Sequence, residues 1–223
     1  MKKTVLIGAS LVLATSILGA CGKESSTANA ENQKITQSQV ADITLNGEHL
    51  SNKKIKEYKK EYVIFGKYGN MNANTELLIK HMALKDAMMK DLGLTQRDID
   101  TQYEKALKEG SPSTTVNGKK IIAKGLVLEI AFDEAYAKKY LSNKDTIDKL
   151  SKIKVEKNDQ EFLENVVKQK ETKNKDDIYL LNLQYLAQKY KVTDTFKYQQ
   201  NLLNKADIKG VDLPKLKEVE VII

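Results

Sequence analysis

The chain has 223 residues, 41% of them hydrophobic and 30% charged, with 37 Lys or Arg against 30 Asp or Glu and a formal charge of +7. That apolar content excludes a fully disordered chain, and the length supports one sizeable domain with a short appendage. Eleven Gly and two Pro leave too little turn punctuation for an all-β sandwich, while a single Cys excludes a disulfide framework and a thiolate zinc site. Arg97 is the only arginine. Lysine lacks the bidentate fork that reads phosphates and guanine edges, so the basic excess reads as a lysine-coated surface and not as a nucleic-acid interface.

Lys2 and Lys3 precede an uncharged apolar run from Val5 to Ala20, the pattern of a secretory signal peptide. The run falls short of the roughly 20 residues that span a bilayer comfortably. Leu18-Gly19-Ala20-Cys21 resembles the bacterial lipobox. The resemblance implies removal of residues 1–20, lipidation of Cys21, and anchoring at the extracytoplasmic face of the cell membrane. Residues 21–39 are polar and without apolar period, a flexible tether with a span on the order of 20–25 Å.

Residues 40–223 are expected to form the folded domain. Alternation over 40–47, with Ile43 and Leu45 on one face, predicts a short strand ending at Asn46-Gly47. Ser51 caps a helix carrying Ile55, Tyr58, Tyr62 and Phe65, broken by residues 68–72. The strongest helix covers residues 75–92 and ends at Gly93. Thr95 and Asp98 form a capping box for a helix reaching Gly110. Residues 111–119 read as a loop with room for a small hairpin. A long helix is expected over 120–141, in which Gly125 is a weak point costing roughly 1 kcal/mol against Ala.

Ser142 with Asp145 and Asn158 with Glu161 read as the next helix starts, followed by helices over 178–190 and 193–205. The charged run 170–177 reads as a solvated loop. Residues 218–223 end in a β-branched run, the natural partner of the strand near Ile43. The expected fold is mainly α, with a small two-stranded β element joining the N- and C-terminal segments.

The run from Ala41 to Glu48, the helix capped by Ser51, the Leu77-Leu78 helix and Gly93-Leu94-Thr95 before Ile99-Asp100 together resemble the N-terminal chaperone region of the SurA and PrsA family of secreted foldases. The resemblance is clear over about residues 40–108, and the lipobox fits the lipoprotein branch found in Gram-positive bacteria. It implies a helical region that binds unfolded secreted polypeptides and is completed by a C-terminal segment returning to the first strand. The family's parvulin isomerase module needs its own histidines and a Gly-rich stretch. Here the only histidines are His49 and His81, both in the N-terminal region, and residues 112–177 show helix periods. An isomerase domain is therefore not expected.

No His-Glu-x-x-His, EF-hand, phosphate-loop or nucleophile-elbow motif occurs, so neither metal nor cofactor is expected. Flexible, polarizable methionines suit surfaces that accept many apolar partners, which makes Met82, Met88 and Met89 candidates for client binding across a groove from Tyr58, Tyr62 and Phe65. Most Met stripes at helical spacing are core instead. The functions to separate are a membrane-anchored, non-catalytic chaperone for unfolded secreted polypeptides and a surface adaptor for one envelope or secretion partner.

Overall fold

The computed structural model describes residues 35, 39–63, 75–109, 114–116, 119–121, 124–170, 172 and 176–212. The expected signal peptide, Cys21, most of the expected tether, Phe65 and the expected strand at 218–223 lie outside the described residues.

Strands β1 (Thr44–Leu45) and β2 (Glu48–His49) pair antiparallel around Asn46 and Gly47, whose φ values of 53° and 81° form the positive pair that a type I′ loop requires. The alternation expected from Val40 holds only from Ile43, because Gln39–Asp42 closes into a 3-10 turn. Ile43 and Leu45 still share the buried face. The other edge of β1 is occupied by β5 (Ile208–Lys209), with Leu45 opposite Ile208 and Thr44 opposite Lys209. The sheet that joins the two ends of the domain thus has three strands, in the order β2-β1-β5.

Among the described residues, eight α-helices make up most of the remainder. Ser51 Oγ accepts the N–H of Lys54 to start α1 (Asn52–Tyr58), which runs on into a π-helical turn over Lys59–Val63. After α2 (Thr75–Leu92), the Thr95 and Asp98 capping box opens α3 (Gln96–Glu109): Asp98 Oδ2 accepts the Thr95 N–H at 2.7 Å and Thr95 Oγ1 accepts that of Asp98 at 3.3 Å. Residues 114–121 carry the hairpin of β3 (Thr114–Val116) and β4 (Lys119–Ile121). That pairing takes the first residues of the long helix expected over 120–141, so α4 is Lys124–Tyr136, continued by a π-helical turn over Ala137–Leu141.

Asn143, not Ser142, caps α5 (Lys144–Leu150) by accepting the N–H of Thr146. Before α6 (Gln160–Lys168) the chain makes a 3-10 turn, and Asp159 stands at the cap without a side-chain cap bond because its carboxylate is engaged elsewhere. Asp176 caps α7 (Asp177–Lys189) and Asp194 caps α8 (Thr195–Leu203).

Two apolar clusters share the central helix α4. The first gathers β1, α1, α2, Ile99 of α3, Leu128, Ala131 and Phe132 of α4, and Leu203 of α8. The second gathers Tyr136, Ala137 and Leu141 with α5, α6 and α7. Leu92 and Tyr198 touch both. At this seam the Asp91 carboxylate accepts from Tyr140 and Tyr198 at 2.7 and 2.8 Å, with the Lys139 ammonium at 3.2 Å.

The ends of α2 and α7 repeat one capping geometry. Leu94 N–H bonds to Met89 C=O and Val192 N–H to Ala187 C=O, both at 2.8 Å, across a residue with positive φ. This is the 6→1 bond of the Schellman motif, and it accounts for the similar sequences around 93–98 and 190–194. Gly93 fills the left-handed position in one case and Lys191, with φ 55°, in the other. Lys191→Gly should therefore stabilise the domain by about 0.5–1 kcal/mol, since a side chain opposes that conformation. A denaturant midpoint that stays put or falls would contradict this.

Candidate functional site

The expected client-binding face is not formed as a face. Met88 is fully enclosed and Met82 is 9% exposed, and Met89 packs half-buried on the same core. Helix α2 is covered by α1, α4 and α8, which turns its methionine stripe into packing. In this structure Met82 and Met88 are core residues. Tyr58 and Tyr62 are half-buried, with ring centroids 5.0 Å apart. The Tyr62 hydroxyl accepts from Gln96 Nε2 at 3.5 Å, and the Lys85 ammonium lies 5.0 Å from the Tyr62 ring centre. Burial pushes both phenols up. These tyrosines brace α1 against α2 and α3. His81 is half-buried on α2.

A different group of side chains converges between α3, α4 and α7. The pitch of α4 stacks Glu129 over Asp133, with Glu134 beside them. Asp133 is 8% exposed, and Gln184 of α7, at 1%, stands next to it. The Gln184 amide lies close enough to favour the charged Asp133 carboxylate, but neither Asp133 Oδ1 nor the polar atoms of that amide make a well-aligned hydrogen bond. Buried polar atoms are normally well satisfied, and this pair is held with poor hydrogen-bond geometry. Nearer the surface, Glu134 Oε2 accepts from Gln102 Nε2 of α3 at 3.1 Å, and Lys105 of α3 pairs with Asp177 of α7 at 2.9 Å.

Burial is the main cause of the electrostatics here. It pushes Glu129 up to about 7. Glu134 also reaches about 7 through burial and the Asp177 charge, opposed by Lys105 and Gln102. Asp133 is raised well above the usual carboxylate range by burial and by the neighbouring Glu129, with the Gln184 amide opposing. Glu129 nevertheless has an exposed surface.

Strongly shifted ionisable groups gathered in one place mark a candidate binding or catalytic site. No grouping of His, Cys, Asp and Glu suited to a metal ion occurs among the described residues. Nor does any described helix have the length and apolarity to cross a membrane. The available chemistry is hydrogen bonding by neutral carboxyls and an amide, and attraction of a cation when the carboxyls ionise. Sequence reasoning passed over this site. The one local signal was an acidic pair four residues apart on a helix otherwise apolar nearly all round.

Comparison with protein-family models, curated proteins and solved structures gives no match to this chain. The functional reading therefore rests on its own residues.

Proposed function

We propose that the chain is an extracytoplasmic lipoprotein that holds unfolded secreted polypeptides without covalent chemistry, in the manner of the chaperone region of SurA and PrsA. The observation that carries the reading is the pairing of β1 with β5, which closes the N-terminal hairpin with a segment from near the C-terminus, the closure that the family resemblance implies. The Leu18-Gly19-Ala20-Cys21 lipobox supports the anchor. A helical scaffold suits reversible binding, and uniform binding of a substrate and its transition state gives no catalysis.

The test uses residues 21–223 with Cys21→Ser, mixed with a denatured client and followed by light scattering. Aggregation should be suppressed at several-fold molar excess. Unchanged scattering would remove the chaperone reading. Cross-linking on intact membranes then separates the alternatives, because a chaperone gives many adducts and an adaptor for one envelope partner gives a single dominant one.

A further inference from the structure

We propose that residues 137–192 form a unit that swings away from the rest of the domain as a folded body, hinged where the chain enters and leaves it and latched at Asp91. The inference does not depend on the chaperone reading, since its probe is the reactivity of a buried thiol.

Three observations lead to it. First, the two apolar clusters are divided along the chain. The second draws its buried residues from one continuous segment, Tyr136 to Ala187, while the first draws them from the flanking segments, Val40 to Phe132 and Leu203. No buried apolar residue belongs to both, and the half-buried Leu92 and Tyr198 are what touches each. Among the described residues, α4 is the one element of the first cluster that packs extensively on α5, α6 or α7. There the buried Asp133 faces Gln184 of α7 in a poorly aligned pair.

Second, the chain passes between the two bodies twice, and neither crossing is regular helix. After Tyr136, α4 gives way to the π-helical turn Ala137–Leu141, and the return passes through Lys191, whose φ of 55° a side chain opposes. The crossings lie side by side, because the Tyr136 hydroxyl is 2.7 Å from Thr193 Oγ1 and the Tyr136 and Tyr198 ring centres are 4.8 Å apart. Two adjacent crossings define one axis, and Tyr136 stands on it, where a rotation moves least.

Third, the bonds across the seam are polar. Tyr140 donates to Asp91 Oδ2 at 2.7 Å, the Lys139 ammonium is 3.2 Å from Asp91, and Lys105 of α3 pairs with Asp177 of α7 at 2.9 Å with both side chains half exposed. Water replaces such bonds on opening, so they oppose it less than buried apolar area does. Tyr198 also donates to Asp91, at 2.8 Å, but it belongs to the same body as Asp91 and keeps that bond in the open form. Openings of this kind lie between local fraying and global unfolding.

The experiment is thiol labelling of residues 21–223 carrying Cys21→Ser, which hold no other cysteine. Gln184→Cys places a reporter at the join, Ala83→Cys one in the first core and Val166→Cys one in the second, all three positions being enclosed. Labelling is followed where its rate tracks the population of the open form. Gln184→Cys should react at least about a hundredfold faster than either core thiol without urea, and its rate should hardly respond to urea below the transition that steeply accelerates the other two. Tyr140→Phe should raise the Gln184→Cys rate about tenfold and Tyr198→Phe should leave it unchanged, because only the first removes a bond that opening breaks. If Gln184→Cys does not fold, Asp133→Cys on the facing helix reports the same opening. A join thiol as slow and as urea-dependent as Ala83→Cys, or equal effects of Tyr140→Phe and Tyr198→Phe, would overturn the proposal. So would Val166→Cys reacting as fast as Gln184→Cys, since the unit would then unfold and not swing.

Discussion

Gly125→Ala is expected to destabilise the domain by about 2–3 kcal/mol, although Ala is worth roughly 1 kcal/mol more than Gly inside a helix. Propensity alone gives the opposite sign. A Cβ on residue 125 would stand 2.2 Å from the carbonyl oxygen of Tyr62 and 3.3 Å from its carbonyl carbon. Both contacts are to backbone, so no side-chain rotation relieves them. The Tyr62 backbone is itself held in a π-helical turn whose Glu61 is paired to Lys124, and Tyr62 packs on the first apolar cluster. Either α4 or that turn must shift, and α4 is the helix around which both clusters are built. Overpacking of this kind costs about 1–3 kcal/mol and occasionally more, which exceeds the propensity gain. Urea unfolding of the two proteins decides it, and a midpoint raised by Gly125→Ala would show that the contact is soft.

The case of Gly125 shows where sequence reasoning stops. Features decided within four residues were legible: the Ser51 cap, the Thr95 and Asp98 box, the Asn46-Gly47 loop and the extent of α2. Where two capping residues stood side by side, the tertiary context chose. Asn143 took the cap from Ser142, and Asp159 was drawn from capping duty to Tyr185, Tyr190 and Lys189. Contacts between distant segments left no local trace. Gly210 is needed because a Cβ there would meet the Asp42 carbonyl oxygen at 2.2 Å, and no spacing rule links residues so far apart. Lys80 reads as a surface lysine, yet it is fully buried and paired at 3.0 Å with Glu76. The candidate site was hidden for the same reason, since nothing near Asp133 announces that Gln184 will face it. The methionine stripe was read correctly as apolar and helical, but period alone cannot tell a covered face from an open one.

Stability should peak near about pH 5 and fall on both sides, by about 2 kcal/mol toward pH 8 and more steeply below about pH 4. The acid limb comes from two carboxylates held by paired tyrosines and a lysine. Asp91 accepts from Tyr140 and Tyr198 beside Lys139. Asp159 accepts from Tyr190 at 2.5 Å and Tyr185 at 3.1 Å, with Lys189 at 2.8 Å. Burial opposes their ionisation, but these donors outweigh it and hold both below the usual carboxylate range. A depressed folded value means stability that is present above the unfolded value and lost as pH falls through the folded one. The opposite limb comes from Glu129, Asp133 and Glu134, which burial raises. The folded state keeps their protons longer than the unfolded chain does, so this contribution is full below the unfolded values and disappears as pH rises through about 7. Glu129 is exposed, and water screens much of its share, so Glu134 and Asp133 carry most of the upper limb. Urea unfolding at about pH 3, 5 and 8 measures both limbs. Asp159→Asn should flatten the acid side and Glu134→Gln the alkaline side, each leaving the other intact. A wild-type maximum at about pH 7–8 would mean that the three carboxylates ionise in the folded protein without cost.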